Sequence, residues 1–164
     1  MTIHGYNVSE EPPFIIYEFM EGGSLEQYIT SQSRSTNKFQ PSKKWVAPRL
    51  LSFPWICDLL RALAYLHEGA ARIIHRDLKP ANLMLTRDQR VLKIADFGLS
   101  RKMGQDSDGR RMSGGTGTLR YMAPEMYRKD PVYTEKVDVF STAIIMFLLT
   151  MGQPAYSGEV SRRV

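Results

Sequence analysis

The sequence predicts an α+β protein, and three observations carry that prediction. Phe14-Ile15-Ile16-Tyr17-Glu18-Phe19-Met20 is rich in branched and aromatic residues and reads as a buried strand. Two helical patterns, Ser52 to Gly69 and Glu135 to Met151, are each long enough for several turns. Leu83-Met84-Leu85 and Val91-Leu92-Lys93-Ile94 read as the two strands of a hairpin, separated by the polar turn Thr86 to Arg90.

Taken in order, the first strand is preceded by Pro12 and Pro13 and ended by Gly22-Gly23. Ser24 and Gln27 have the spacing of a capping box, which predicts a short helix through about Ile29. Residues 31 to 49 are polar, contain Pro41 and Pro48 and show no period, so an exposed loop is expected there. In the next helix Phe53, Ile56, Leu60, Leu63 and His67 follow a 3, 4, 3, 4 spacing, widened by Leu59 and Leu66, which predicts a buried stripe. Ser52 can cap its start, Pro54 is tolerated in a first turn, and Gly69 can end it. His67, at the helix end, reads as structural and not as a ligand or base. The segment Ser100 to Gly117 is Gly/Ser-rich, charged and poor in large apolar side chains, so it has little to offset its ordering entropy. Thr134 can cap a final helix closed by Gly152; that helix is apolar nearly all round after Asp138, which predicts burial on all sides. There is no internal repeat.

At 164 residues, 43% apolar and 24% charged, the chain is long enough for one domain with a sizeable core. The formal charge of +5 resides largely in Arg34 to Lys38, Lys43-Lys44 and Arg110-Arg111, which read as solvated basic loops and not as a nucleic-acid surface. A single cysteine, Cys57, excludes an internal disulfide framework and fits a reducing compartment; it falls on the apolar pattern of a helix and reads as a core residue. Met1 to Tyr6 lacks the features of a signal peptide, and the longest apolar run, Ala143 to Leu149, is too short to span a bilayer. No membrane or nucleic-acid partner is expected, and the location expected is cytoplasmic.

The chemistry concentrates in His75-Arg76-Asp77-Leu78-Lys79-Pro80-Ala81-Asn82, where an acid, two cations and an amide share eight residues with a proline that forbids ordinary helix. This stretch resembles the catalytic loop of protein kinases, in the Lys-Pro-x-Asn form of serine/threonine kinases. Ile94-Ala95-Asp96-Phe97-Gly98 resembles the metal-binding Asp-Phe-Gly segment, and Met122-Ala123-Pro124-Glu125 the close of the activation segment. The order of the three motifs is the family's own. Gly117-Thr118-Leu119-Arg120-Tyr121 through Glu125 is most similar to the tyrosine-kinase-like branch of serine/threonine kinases.

The resemblance implies a protein-kinase-like fold that is incomplete: residues 1–21 as the end of the N-lobe sheet and the hinge, and 22–164 as a mainly helical partial C-lobe. It implies ATP and Mg2+ as cofactors and Ser/Thr hydroxyls of protein substrates as acceptors. Asp77 would accept the proton of the attacking hydroxyl, or orient it, and Lys79 would neutralise the transferring phosphoryl group. Asn82 and Asp96 offer hard oxygen ligands suited to a Mg2+ that keeps several waters. By position, Tyr17 would be the gatekeeper, the backbone of Glu18 and Met20 would bond the adenine edge, and Met84 would lie beneath the ring. His75 and Phe97 would join the apolar column that links the parts of the active state. Arg76 suggests control by an upstream kinase: a phosphate on Ser113 or Thr116 would bring roughly −1.5 to −2 charges to an arginine and order the segment. Thr118 matches the serine/threonine pattern.

Simpler structural readings stand beside these. Asp77 alone could be an Asx-turn residue next to Pro80, and Asp96 alone a turn acid before Gly98, but their companions, Asn82 among them, favour the chemical reading of both; Met84 as core filling is compatible with a place beneath adenine. The sequence shows no Gly-rich loop, no Val-Ala-x-Lys strand and no helix glutamate to partner that lysine, and Ile3 to Tyr6 reads as a remnant of a fourth strand. The arginine that normally pairs with Glu125 is absent too, so Glu125 is expected to be solvated or protonated. A chain so truncated is expected to catalyse weakly or not at all alone. The alternative function is a non-catalytic, truncated kinase-fold docking module; a third reading is an unstable product without function.

Overall fold

A computed structural model of the protein describes residues 1–39, 45–70, 72–103, 119–127 and 134–156. Strand β1 (Ile3–Asn7) pairs antiparallel with β2 (Phe14–Tyr17), with Tyr6 opposite Ile15. The expectation of a buried strand fails here. Ile15 and Ile16 point to opposite faces of the ribbon, yet each is 51% exposed. Branched and aromatic residues favour a strand but do not say which face is covered.

Helix α1 (Leu25–Phe39) starts on a reciprocal capping box. The Ser24 amide donates to Gln27 Oε1 at 2.9 Å, and the Gln27 amide donates to Ser24 Oγ at 3.2 Å. The helix continues to Phe39, well past Ile29, where a loop was expected. Thr30 to Phe39 contains no Gly or Pro, so nothing breaks the backbone ladder. A polar, aperiodic stretch suits an exposed helix as well as a loop.

Helix α2 (Arg49–Glu68) begins after Pro48, ahead of Ser52, so Ser52 is an internal residue and not the cap; its amide bonds the Pro48 carbonyl. Pro54 is accordingly the sixth residue of the helix. The buried face is Ser52, Trp55, Leu59 and Leu63, whereas Phe53 is 69% and Leu60 47% exposed. The spacing of the expected stripe was helical, but α2 carries apolar residues on two faces, and only its neighbours select one. Gly69 ends the helix as expected, its amide bonding the Tyr65 carbonyl, although its backbone is extended and not left-handed.

The hairpin of β4 (Leu83–Leu85) and β5 (Leu92–Ile94) is antiparallel, with Leu83 opposite Ile94 and Leu85 opposite Leu92. Those four residues form one buried face, and they join Leu25, Trp55, Leu59, Leu63, Leu78, Ile145 and Leu149 in the main core. Helix α2 grips the hairpin with two polar contacts: Trp55 Nε1–H donates to the Gln89 carbonyl at 2.7 Å, and Asp58 Oδ2 accepts the Leu92 amide at 3.0 Å. Between α2 and this hairpin lies β3 (Ile73–Ile74), which pairs antiparallel with β6 (Arg101–Lys102).

Helix α3 (Lys136–Met151) is preceded by Thr134, whose Oγ1 accepts the Lys136 amide at 3.4 Å. It is closed by Gly152 at φ 64°, where a Cβ would fall on the Trp45 carbonyl oxygen. Burial is one-sided and not all-round. Val137, Asp138, Ser141, Thr142, Ile144, Ile145 and Leu149 are buried, while Val139 and Met151 are each 49% exposed. The buried face includes two polar residues that hydrogen-bond to other segments: Asp138 accepts the His75 and Arg76 amides, and Ser141 donates to the Tyr121 carbonyl.

Candidate active site

Asp138 organises the loop at residues 75–82. It is fully buried and accepts three hydrogen bonds of 2.8 Å: the His75 amide and His67 Nε2 on Oδ2, and the Arg76 amide on Oδ1. A backbone turn that would otherwise leave buried N–H groups unmet is thereby satisfied, with Arg76 held at φ 69°. The sequence reading of His67 as structural agrees with this contact.

His75, also fully buried, works in the opposite direction. Its Nδ1 accepts the Asp77 amide at 3.3 Å, so Nε2 carries the proton and donates to the Ala95 carbonyl at 3.0 Å. Burial holds the imidazole below its ordinary pKa of 6.5, against the opposing pull of the Ala95 bond and the Asp138, Asp77 and Asp96 carboxylates. The ring meets Phe97 edge-on at 5.0 Å.

Asp77 is 6% exposed. Its Oδ2 receives Lys79 Nζ at 2.7 Å and Asn82 Nδ2 at 3.0 Å, and Asn82 Nδ2 also donates to the Asp77 carbonyl at 2.9 Å. A short turn at Pro80–Asn82 brings Asn82 back to this position. Asp77 Oδ1 is buried and, among the described residues, has no partner. Leaving a carboxylate oxygen unmet costs free energy, so this atom is an acceptor that still wants a donor.

The β4–β5 register sets Asn82 and Asp96 at the same end of the hairpin. The Ala95 amide donates to the Asn82 carbonyl at 2.9 Å, one step beyond the Leu83–Ile94 pair. Asp96 sits at φ 60°, is exposed, and accepts the Gly98 amide on Oδ1 at 3.2 Å. Because Asn82 turns Nδ2 toward Asp77, its Oδ1 faces the other way. Among the described residues no group of three or more His, Cys, Asp or Glu side chains converges on a metal position. The donor set fits a hard cation that brings most of its own ligands: one amide oxygen and one carboxylate.

Glu18 and Met20 follow β2. The Glu18 carboxylate takes Lys93 Nζ at 2.7 Å and the Thr2 amide at 2.6 Å, which hold its pKa down at about 2. The following loop is laced to β4: the Gly22 amide bonds the Leu85 carbonyl at 3.1 Å, and the Leu85 amide bonds the Gly23 carbonyl at 2.9 Å. Gly22 is required by this approach, since a Cβ there would lie 2.6 Å from the Leu85 oxygen. Met84 is half-buried and bridges to Ser24 in the same ladder.

Ser113, Thr116 and Thr118 lie outside the described residues. Arg76 Nε donates to the Leu99 carbonyl, three residues after Asp96. Ser141 Oγ donates to the Tyr121 carbonyl at 2.7 Å, and Tyr127 Oη donates to the Leu119 carbonyl. Burial pushes the Tyr121 phenol up to about 12. Glu125 is half-buried. The sequence reading did not single out Asp138, Lys93, Asp58 or Trp55. Asp138 had a usable signal, an acid at the head of an apolar helix; Lys93 and Asp58 look like ordinary surface charges.

Comparison with known sequences agrees with the motifs. The sequence model of the protein kinase domain matches residues 1–163. The serine/threonine-protein kinase VIK of Arabidopsis thaliana is 36% identical over 158 residues, covering 94% of this chain and 33% of that protein. Mitogen-activated protein kinase kinase kinase 7 of Drosophila melanogaster is 33% identical over 156 residues, covering 94% of this chain and 21% of that protein. Cysteine-rich receptor-like protein kinase 29 of Arabidopsis thaliana is 34% identical over 157 residues, with 94% and 22% covered. The chain thus spans a third or less of the length of these curated relatives.

Proposed function

The chain belongs to the protein kinase domain family, and from that premise we propose that it is a serine/threonine protein kinase catalytic core, moving the γ-phosphate of ATP to Ser/Thr hydroxyls of protein substrates. The observation that carries the reading is the buried Oδ1 of Asp77, without a partner among the described residues and set beside Lys79 and Asn82. A substrate hydroxyl is the donor that this oxygen lacks. Accepting that hydrogen bond aims the oxygen nucleophile and takes up its proton as the new bond forms. Lys79, already 2.7 Å from Oδ2, supplies positive charge next to the acceptor without reorganisation. Oδ1 of Asn82 and the carboxylate of Asp96 would hold Mg2+, and the backbone of Glu18 and Met20 would take the adenine edge above Met84. When bound, Mg·ATP supplies the phosphoryl group and the charge that neutralises its oxygens.

The Ser/Thr preference rests on Lys79 in the loop, on Thr118, and on the names of the relatives. Residues 1–21 and 22–164 are taken as the two lobes' contributions. Phosphorylation of Ser113 or Thr116 by an upstream kinase, read out by Arg76, remains part of the proposal. Among the described residues no helix is long and apolar enough to cross a membrane. The cytoplasmic location is proposed from the unpaired Cys57.

The test is phosphoryl transfer from Mg·ATP to Ser/Thr peptide pools. Asp77→Asn removes a carboxylate and keeps the shape, so kcat falls by about 10²- to 10⁴-fold while nucleotide binding persists. Equal turnover by wild type and variant removes Asp77 from the chemistry. Retained binding of a partner protein, with no transfer by wild type, establishes the docking module in its place.

A further inference from the structure

Lys93 and Glu18 are far apart in sequence and make an ion pair of 2.7 Å between two parts of the nucleotide site. Lys93 is the middle residue of β5; its neighbours Leu92 and Ile94 point into the core, so its own side chain leaves by the other face. On that face its directly opposed cross-strand residue is Met84. Glu18 stands at the end of β2, and its carboxylate is held a second time by the Thr2 amide at 2.6 Å.

We propose that the Lys93–Glu18 pair is a positioning device for the nucleotide, fixing the Glu18–Met20 backbone against the β4–β5 hairpin that carries Met84 and leads to Asp96. This rests on the nucleotide-site reading given above. Among the described residues, the backbone bonds of Gly22 and Gly23 to Leu85 and the Ser24–Met84 bridge fasten the segment along β4. A hold along one strand permits pivoting; the ion pair adds another, on the adjacent strand β5. The two side chains are 32% and 21% exposed, sheltered enough to keep a fixed geometry, and Glu18 stays ionised through the whole working pH range. A natural control joins the same two segments. Arg87 and Glu21 lie 3.6 Å apart with side chains 86% and 53% exposed, a separation and solvation that position nothing.

The device acts by preorganisation: a segment already held in its bound place loses less freedom when ligand arrives. The experiment is titration of the full chain with adenosine and, separately, with Mg·ATP, the folded fraction being checked by circular dichroism. Lys93→Met weakens both ligands by about three- to tenfold, because the affected contact is at the adenine end that they share. Glu18→Gln, which keeps an oxygen for Thr2 and the shape of the side chain, gives a similar loss, and it tests the pair should Lys93→Met fail to fold. The double variant is no weaker than either single one, and Lys93→Arg restores binding to within about twofold. Arg87→Ala also stays within about twofold of wild type. Unchanged affinity in Lys93→Met and Glu18→Gln, with wild type binding normally, overturns this inference alone. So do additive losses in the double variant. A loss confined to Mg·ATP assigns Lys93 to the phosphates and overturns it equally. No adenosine binding by wild type overturns the nucleotide-site reading, and this inference with it.

Discussion

Asp138→Asn tests the arrangement most directly, because it changes one atom of a fully buried side chain. The carboxylate accepts from three donors at 2.8 Å, on the amides of His75 and Arg76 and on His67 Nε2. An asparagine keeps one oxygen acceptor and turns an NH2 group against at least one of those donors. Hydrogen bonds to a charged acceptor contribute about 1.5–3 kcal/mol each, and a buried donor left unmet costs about 1–3 kcal/mol. Losing one bond outright and weakening the rest gives a destabilisation of about 3 kcal/mol, consistent with the range for disrupting a buried charged contact. For a chain of this size that lowers the melting temperature by about 6–12 °C. Urea unfolding should show a reduced midpoint with an unchanged slope. Hydrogen exchange at the His75 and Arg76 amides should accelerate by about 10²-fold, the factor that corresponds to the same free energy. A loss below about 0.5 kcal/mol, with both amides still protected, would refute the claim that Asp138 holds the loop.

Two further predictions follow from the same geometry. Trp55→Phe keeps most of a fully buried ring but removes the donor to the Gln89 carbonyl, so stability falls by about 1–2 kcal/mol in denaturant melts; an unchanged midpoint means the hairpin turn does not depend on α2. His75 gives a pH dependence of known sign. Its folded pKa is depressed below the ordinary 6.5, so the unfolded chain takes up a proton first as pH falls. Its contribution to stability is therefore complete above pH 6.5 and is lost progressively below it, until the buried ring itself protonates. Melting temperatures measured from pH 8 to 5, with the His75 ring followed by NMR, check this; a ring that titrates at its ordinary value contradicts it.

Sequence patterns read well wherever the local chain decides its own conformation. The Ser24–Gln27 box, the hairpin at 83–94 and the Gly152 cap are cases in which a few neighbouring residues meet each other's hydrogen-bonding needs. Burial was harder to read, because it depends on what lies opposite. The strand 14–17 looked buried and is exposed, and α2 presents Trp55 and Leu59 to the core where Phe53 and Leu60 had equal claim. Thr30 to Phe39 went unread as helix because its polar composition shows no apolar period. At the site, the motif residues Asp77, Lys79, Asn82 and Asp96 stand out by chemical density within a short span. Their supports do not. Asp138 acts across 63 and 62 residues of sequence on His75 and Arg76, and Lys93 across 75 on Glu18, and no local pattern encodes such a pairing.

One helix holds both the loop that bears Asp77 and the segment at Tyr121. Asp138 and Ser141 are three residues apart on α3, close to one turn, and so face similar directions. The first suspends the loop that bears Asp77, and the second takes the Tyr121 carbonyl at 2.7 Å. Both therefore share one frame of reference. When α3 rocks or shifts, the acceptor loop and the Tyr121 segment travel together, and the gap between them is preserved to first order. Had they hung from separate elements, their errors of placement would be independent and would add. Displacements common to the whole helix leave the relative placement of the two unchanged; a bend or twist within the single turn from Asp138 to Ser141 alters it, and those two side chains are buried.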